Sequence, residues 1–264
     1  MKKCSSLLLA LLLIILCVPG AEALPPSSDF EATILFTHDL HSHFLPQSTE
    51  DGGESGGYAR LKTAIGRERA QHPDALLVDG GDFSIGSLIQ TLYTTQAAEL
   101  RTMGALGYDA VTLGNHEFDH TGAGLAQMLN AAADSGDRLP ALVEANYVPA
   151  PENPDRDAIL AAMDRYGAQE TMLLERGGVT YGIFGLMGVD SHDCAPTSGF
   201  VLENMAQAAQ RCVEALEAQG AELILCLSHS GTESGEGEDY ALAKAVDGID
   251  VIISGHTHTT LAEP

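Results

Sequence analysis

The chain has 264 residues, of which 45% are apolar, and it carries a net charge of −24 at pH 7. This length and apolar content are sufficient for one large α/β domain with a buried core, or for two small domains. The acidic charge opposes binding to nucleic-acid polymers and to anionic lipid surfaces, so both are excluded as expected partners.

The first 23 residues have the pattern of a secretory signal peptide. Lys2 and Lys3 precede an apolar run at residues 7–18, and a small-residue motif ends at Ala23, where cleavage is expected. The apolar run is shorter than the roughly 20 residues that span a bilayer, so an uncleaved membrane anchor is the less favoured alternative. The sequence therefore predicts a protein that is secreted, periplasmic or at the cell surface, without stable membrane insertion after cleavage.

Three cysteines follow the predicted cleavage site: Cys194, Cys212 and Cys226. An odd number without close CxxC spacing predicts neither a disulfide framework nor a thiolate metal site. Cys212 lies in a helical pattern and Cys226 in a strand pattern, so we expect both in the core.

Strand and helix patterns alternate along the rest of the chain. The predicted strands are residues 32–36, 75–78, 110–113, 141–145, 223–227 and 251–253, and the predicted helices are residues 58–70, 94–106, 124–133, 204–219 and 240–246. The remaining predictions are a glycine-rich loop at 52–57, a loop at 149–156 followed by a weak helix, and a hairpin of residues 171–174 and 179–186 around a Gly-Gly turn. This order predicts a mostly parallel sheet covered by helices, with an antiparallel excursion at the hairpin.

Five of these strands run directly into polar residues, in the segments THDLHSH, DGGD, GNHEFD, SHSG and SGHTH. Ligands of open α/β sheets bind at the carboxyl ends of the strands, where the connecting loops converge. Each segment alone is a weak signal, but five at five strand ends would aim Asp, Asn and His side chains at one crevice. The conjunction predicts a metal site.

Seven side chains in these segments are candidate metal ligands: Asp39, His41, Asp82, Asn115, His229, His256 and His258. Carboxylate, amide and imidazole together suit Mn²⁺, Zn²⁺ or Fe²⁺ and suit an all-oxygen calcium site poorly. Seven ligands are too many for one tetrahedral ion, but they form two sets of four if one carboxylate bridges two ions. Asp82 is the best bridging candidate, since Gly80 and Gly81 before it allow close approach of the backbone.

The segments THDLHSH, VDGGDFSIGS, VTLGNHEFD, LSHSG and ISGHTHT resemble those of the calcineurin-like metallophosphoesterases. Within this superfamily they are most similar to the secreted 5'-nucleotidases, UDP-sugar hydrolases and 2',3'-cyclic-nucleotide phosphodiesterases. The resemblance extends from about residue 33 to residue 260 and implies a four-layer α/β/β/α sandwich, with a metallophosphoesterase domain over residues 30–264. It also implies a hydrolase of nucleotide catabolism that acts on a small phosphate ester, normally a nucleotide, by attack of a metal-bridging hydroxide.

The resemblance further implies a role for each candidate residue. One divalent ion would be held by Asp39, His41, Asp82 and His258, and the other by Asp82, Asn115, His229 and His256. His116 would be a catalytic residue beside the ions, oriented by Asp119, and Asn115 and His116 would contact the substrate.

Several neighbours of these residues are expected to support the site without binding an ion. His38, His43 and His120 lie just outside the ligand pattern. We expect Glu117 to accept hydrogen bonds within its loop. Ser84 is not expected to be a nucleophile, because no Gly-x-Ser-x-Gly elbow or paired base accompanies it.

The family usually carries further strands and a second, substrate-binding domain after the GHTH segment. Here the sequence ends at Pro264, so we expect an N-terminal metallophosphatase domain truncated at its C-terminal end, as a fragment of a longer product rather than a shortened protein. Two alternatives to phosphate ester hydrolysis remain open. One is a non-catalytic exported metal-binding or surface protein, and the other is a related enzyme that acts on sulfur esters.

Overall fold

Two four-stranded β-sheets form the centre of the structure, a computed structural model that describes residues 31–233 and 235–260. The predicted signal peptide, residues 1–23, lies outside the described residues. Among the residues that are described, no helix has the length and apolar character needed to cross a bilayer.

The described residues contain twelve strands and eight α-helices. The strands are β1 (Ile34–Thr37), β2 (Gln47–Ser48), β3 (Glu54–Ser55), β4 (Leu76–Asp79), β5 (Ala110–Val111), β6 (Ala141–Leu142), β7 (Tyr147–Pro149), β8 (Thr171–Arg176), β9 (Val179–Met187), β10 (Phe200–Leu202), β11 (Leu223–His229) and β12 (Val251–Ser254). The helices are α1 (Tyr58–Gln71), α2 (Tyr93–Gln96), α3 (Ala98–Leu106), α4 (Thr121–Ser135), α5 (Arg156–Tyr166), α6 (Val189–Asp193), α7 (Met205–Ala218) and α8 (Glu238–Ala245).

The first sheet has the strand order β1-β4-β5-β6, and all of its strands are parallel. The second sheet has the order β12-β11-β9-β8, in which only β8 runs antiparallel to its neighbour. The alternation of elements had predicted one mostly parallel sheet. The strands instead divide between two sheets, as the family resemblance implied, because period-2 patterns do not specify which strands pair.

Apolar side chains between the two sheets form the inner layer of the core. Leu76 and Val78 of the first sheet belong to the same buried cluster as Ile183, Leu225 and Leu227 of the second. Successive side chains of a strand point to opposite faces, so these alternate residues all point away from the helices. The two sheets are therefore packed face to face.

The other face of each sheet is covered by helices. Leu77 of β4 packs with Leu100 of α3 and Leu125 of α4, whereas Cys226 of β11 packs with Cys212 of α7. The layers therefore follow the order helix, sheet, sheet, helix, which confirms the predicted α/β/β/α sandwich. The prediction that Cys212 and Cys226 are core residues is also confirmed.

The predicted helix over residues 94–106 is wrong at one point, since it is divided into α2 and α3. Ala97 between them has a φ of 45°, a left-handed conformation that helical periodicity does not reveal.

The loop predicted at 149–156 begins with the end of β7, which pairs with β10. Neither short strand was predicted, because their pairing joins residues distant in the chain.

Glu144 gives this fold an expected pH dependence. It is buried, and its carboxylate accepts hydrogen bonds from Asn146 N–H at 3.3 Å and from the Thr112 hydroxyl at 3.4 Å. Burial raises the pKa of Glu144 to about 8, against the effect of these hydrogen bonds. The folded pKa exceeds the unfolded value of about 4.3, so the protonated carboxyl stabilises the fold at low pH and this stability is lost as the pH rises to about 8.

Glu144→Gln is therefore expected to flatten the fall in the free energy of unfolding between about pH 6 and pH 8, by up to about 1.4 kcal/mol per pH unit. Urea unfolding in the presence of a chelator measures this, because metal binding then adds no pH dependence. The exposed Glu152→Gln is the matched control. If the free energy of unfolding fell equally steeply with pH in Glu144→Gln and in the wild type, the raised pKa of Glu144 would be contradicted.

Candidate active site

All seven candidate ligands lie at or just beyond the carboxyl ends of parallel strands. Asp39 and His41 follow β1, Asp82 follows β4, and Asn115 follows β5. In the second sheet His229 is the last residue of β11, and His256 and His258 follow β12. Because the sheets are packed face to face, both groups of loops meet at the same edge.

Backbone hydrogen bonds join these loops to one another. Asp39 N–H donates to the Gly81 carbonyl at 2.9 Å, and His41 N–H donates to the Asp82 carbonyl at 3.0 Å. Across the two sheets, His256 N–H donates to the Asp39 carboxylate at 3.0 Å. The β1, β4 and β12 loops are therefore fixed relative to one another.

Five of the candidate ligands have a positive φ, a conformation that costs a non-glycine residue free energy. The values are 52° at Asp39, 45° at His41, 52° at Asp82, 79° at His256 and 51° at His258. Such residues concentrate at functional sites, where the surrounding structure holds them in place. Here the hydrogen bonds between the loops hold these residues in place.

Gly114 lets the loop after β5 approach the site closely. A Cβ atom at this position would collide with the Asp82 carboxylate and would lie 2.7 Å from Nε2 of His229. Asp82 is held in the same place by His116 N–H, which donates to its Oδ1 at 2.8 Å. The glycine of GNHEFD is therefore required because a larger residue would not fit between these two candidate ligands.

Asp39, His41 and His258 form one group of possible ligands, with donor atoms that all lie within 4.8 Å of one another. Nε2 of His258 is 3.1 Å from Nε2 of His41 and 3.2 Å from Oδ1 of Asp39. Two nitrogens bound to one tetrahedral zinc at 2.0–2.1 Å lie about 3.3 Å apart. The spacing of these side chains therefore fits one shared ion.

Asp82, His229 and His256 form a second such group. Asp82 also forms a group with His41 and His116, so its carboxylate lies between the two sets, in the position expected of a bridging ligand. The amide of Asn115 lies beside this second group, since Asn115 is buried and directly precedes His116, whose backbone N–H donates to Asp82.

The buried imidazole of His229 tests whether these residues fit a metal ion. Its Nδ1 lies 2.8 Å from the Gly80 carbonyl and donates to it, so Nε2 is the ring nitrogen that faces the site. Nε2 has no hydrogen-bond partner among the described residues, although Oδ2 of Asp82 is 3.1 Å away. A buried polar atom without a partner is costly, and a bound cation would satisfy it.

The electrostatics of the site favour positive charge. Burial lowers the pKa of His229, but the Asp82 carboxylate outweighs burial and raises that pKa to about 9, so the metal-free ring holds a proton on Nε2 that a bound ion would replace. Burial raises the pKa of Asp39, yet the hydrogen bond with His38 and nearby positive charge hold it below its usual range. Burial likewise raises the pKa of Asp82, but His229 chiefly holds that pKa below its usual range, so these two carboxylates stay ionised and attract cations.

His116 and Asp119 lie beside the two groups. Residues Asn115–Phe118 form a 3-10 helical turn, and Nδ1 of His116 is 3.2 Å from Oδ2 of Asp119. Burial lowers the pKa of His116, but the carboxylates of Asp82 and Asp119 raise it to a net value above the usual one. Asp119 therefore engages one ring nitrogen of His116, and Nε2 is the other.

The sequence profile of the calcineurin-like phosphoesterase family matches residues 32–260. The chain belongs to this family. The match extends from just before β1 to just after β12 and so includes every segment that carries a candidate ligand. Family membership confirms the predicted resemblance to a family of metal-dependent phosphoric ester hydrolases.

Similar proteins include 5'-nucleotidases. A probable 5'-nucleotidase of Treponema pallidum is 34% identical over 90% of this chain and 38% of its own length, and the 5'-nucleotidase of Bos taurus is 34% identical over 92% of this chain and 40% of its own. Among solved structures, a 5'-nucleotidase precursor from Thermus thermophilus is 31% identical with a TM-score of 0.70, covering 88% of this chain and 43% of that chain. The chain thus spans about two fifths of the length of these proteins.

Glu117 organises the loops of this candidate site. Its fully buried carboxylate accepts hydrogen bonds from the N–H groups of Asp82, Ser84 and Gly114 and from the Ser84 hydroxyl, at 2.6–3.0 Å. It therefore joins the loops after β4 and β5, and the Ser84 hydroxyl is engaged as a donor. The interpretation of Glu117 as a hydrogen-bond acceptor agrees with these contacts.

Sequence reasoning missed two polar residues near the ligands, Asp190 and Ser191 of α6. They follow β9, whose polar continuation after Gly188 is a sixth instance of the strand-end pattern. The strand itself was predicted, so the same rule applied to its end would have identified them.

Proposed function

We propose that this chain hydrolyses phosphate esters of nucleotides, as a 5'-nucleotidase does, at a site that binds two divalent metal ions. The observation that carries the proposal is the convergence of two groups of donor side chains, Asp39 with His41 and His258 and Asp82 with His229 and His256, which a third group containing both His41 and Asp82 connects. Nε2 of buried His229 supports the proposal, because this atom has no hydrogen-bond partner among the described residues and a bound cation would give it one.

In this proposal the ions share Asp82 and divide the other ligands. Asp39, His41 and His258 would hold one ion, and Asn115, His229 and His256 the other. Bound divalent ions of the Mn²⁺, Zn²⁺ or Fe²⁺ type would lower the pKa of water and neutralise the charge of the phosphate. The hydrogen bonds from His229 to Gly80 and from His41 to Ile85, at 2.8 and 3.0 Å, fix both ring orientations before any ion binds.

His116 would act on the substrate. The Asp119 carboxylate accepts from Nδ1–H and so fixes the orientation of the ring, and the protonated ring then carries a second N–H, at Nε2, that can donate to a phosphate or leaving-group oxygen. The raised pKa of His116, which burial opposes and Asp82 and Asp119 cause, favours the protonated ring. A donor placed where negative charge develops stabilises the transition state more than the ground state.

Activity assays separate this proposal from the two alternatives. The protein with added Mn²⁺ is expected to release phosphate from a nucleoside 5'-monophosphate and from an aryl phosphate, and excess chelator is expected to abolish both reactions. Metal binding without release of phosphate would support a non-catalytic protein. Turnover of a sulfur ester alone would support the other alternative.

Export is a further part of the proposal. It rests on the pattern of residues 1–23, which lie outside the described residues. A mature N-terminus at Leu24 would support cleavage after Ala23, whereas retention of Lys2 and Lys3 would contradict it.

A further inference from the structure

Helix α6 contacts two candidate ligands of the same proposed ion through two consecutive side chains. Oδ2 of Asp190 lies 2.8 Å from Nε2 of His256, and the Ser191 hydroxyl donates to Oδ1 of Asn115 at 3.2 Å. Neither Asp190 nor Ser191 has a part in the proposed reaction.

The position of α6 is itself fixed. Gly188 N–H donates to the carbonyl of His229 at 3.0 Å, so the start of the helix is bonded to a third candidate ligand of that ion. The N–H groups of Val189 and Asp190 donate to the Glu238 carboxylate at 2.7 and 2.9 Å. The helix is therefore held by both β11 and α8. The backbone of Asp190 is fixed by these contacts, although its side chain is largely exposed.

These contacts match those that orient ligands in metal proteins. A histidine that binds a metal through one ring nitrogen commonly donates its other N–H to a carboxylate, which fixes the ring and makes the ligand more basic. Because Asp190 engages Nε2 of His256, the nitrogen left for an ion is Nδ1. The Ser191 hydroxyl uses one lone pair of Oδ1 of Asn115, which fixes the orientation of the amide and leaves a second lone pair free.

We propose that α6 is a positioning element for the ion held by Asn115, His229 and His256. Asp190 acts through His256, and Ser191 acts through Asn115. The inference rests on the proposed function, since it requires that these residues bind an ion.

Metal titration of stripped protein tests the role of α6 independently of activity. We compare wild type, Asp190→Ala and Ser191→Ala, with Asp193→Ala as the control because Asp193 is exposed on the same helix. Bound Mn²⁺ is counted by mass spectrometry, and dissociation constants are measured by competition with a chelator. For Asp190→Ala we expect about 10- to 100-fold weaker binding of one ion and unchanged binding of the other. Ser191→Ala should weaken the same ion, and Asp193→Ala should match wild type.

Asp190→Asn adds a conservative variant, which keeps one acceptor oxygen without the charge. Its affinity for the affected ion should lie between those of wild type and Asp190→Ala. An equal loss of both ions together with a lower melting temperature would indicate a merely structural effect and would overturn the inference.

Two further outcomes separate the inference from its alternatives. Asp190, Cys194 and His256 also lie close enough to form a three-donor group. If Cys194→Ser weakened the same ion as much as Asp190→Ala, the group would bind an ion directly and the positioning role would be overturned. Wild-type binding of two ions with no change in Asp190→Ala would overturn the inference alone, whereas a wild-type chain without a second ion would overturn the proposed function as well.

Discussion

Asp82→Asn is expected to bind one divalent ion per chain or none, and to lose phosphate release by at least about a thousandfold. Asp82 belongs to ligand groups with His41 and with His229, so its carboxylate is the only side chain proposed to serve both ions. An amide can still occupy the space, but it lacks the negative charge. The loss follows because bound ions contribute several kcal/mol to the transition state, and each 1.36 kcal/mol is a factor of ten in rate.

The measurement for Asp82→Asn combines a metal count with the rate of phosphate release, at a Mn²⁺ concentration that saturates the wild type. Asp164→Asn is the control, because Asp164 is exposed on α5 in the outer helix layer. Two ions per chain in Asp82→Asn, with turnover within a few-fold of wild type, would show that this carboxylate does not bridge.

His116→Ala is expected to lower kcat by about 10²- to 10⁴-fold while both ions remain bound. The ring lies beside the ligands, and its Nδ1 is engaged by Asp119 at 3.2 Å, so its loss removes a donor to the substrate without removing a metal ligand. His72→Ala is the control, because His72 precedes β4 at the end of that strand opposite Asp82. Loss of metal in His116→Ala would show that this imidazole is itself a ligand.

Asp119→Asn should have a smaller effect on kcat and a distinct effect on the pH profile. Burial lowers the pKa of His116, while the Asp82 and Asp119 carboxylates raise it, so removing one carboxylate lowers that pKa. If the protonated ring is the active form, activity is retained below this pKa and lost above it. The alkaline limb of the kcat profile should therefore move to lower pH, and a limb that stays in place or moves to higher pH would contradict the role of Asp119.

The positions of the candidate ligands followed from one rule, that polar residues directly after buried parallel strands converge. The rule worked for Asp39, Asp82 and Asn115 because β1, β4 and β5 are neighbours in one parallel sheet. It extended to His229 and His256 because β11 and β12 end at the same edge of the second sheet. The polar residues that follow a strand are adjacent to it in the sequence, which is why the sequence alone could identify them.

Other features of the site depend on contacts that local patterns do not contain. The positive φ at Ala97 that ends α2 follows no periodicity. The pairing of β7 with β10 joins residues about fifty positions apart, with only three residues in each strand. The contact of Asp190 with His256 spans 66 positions, so its partner could not be read from the sequence, although the strand end before it could.

The metal requirement of phosphate release tests the central claim most directly. Stripped protein is titrated with Mn²⁺ while the initial rate of hydrolysis of a nucleoside 5'-monophosphate and the number of bound ions are recorded together. The proposed site predicts no release without metal, and a rate that rises to its maximum as two ions bind per chain. Full activity in stripped protein, or two bound ions without any release of phosphate, would contradict the account.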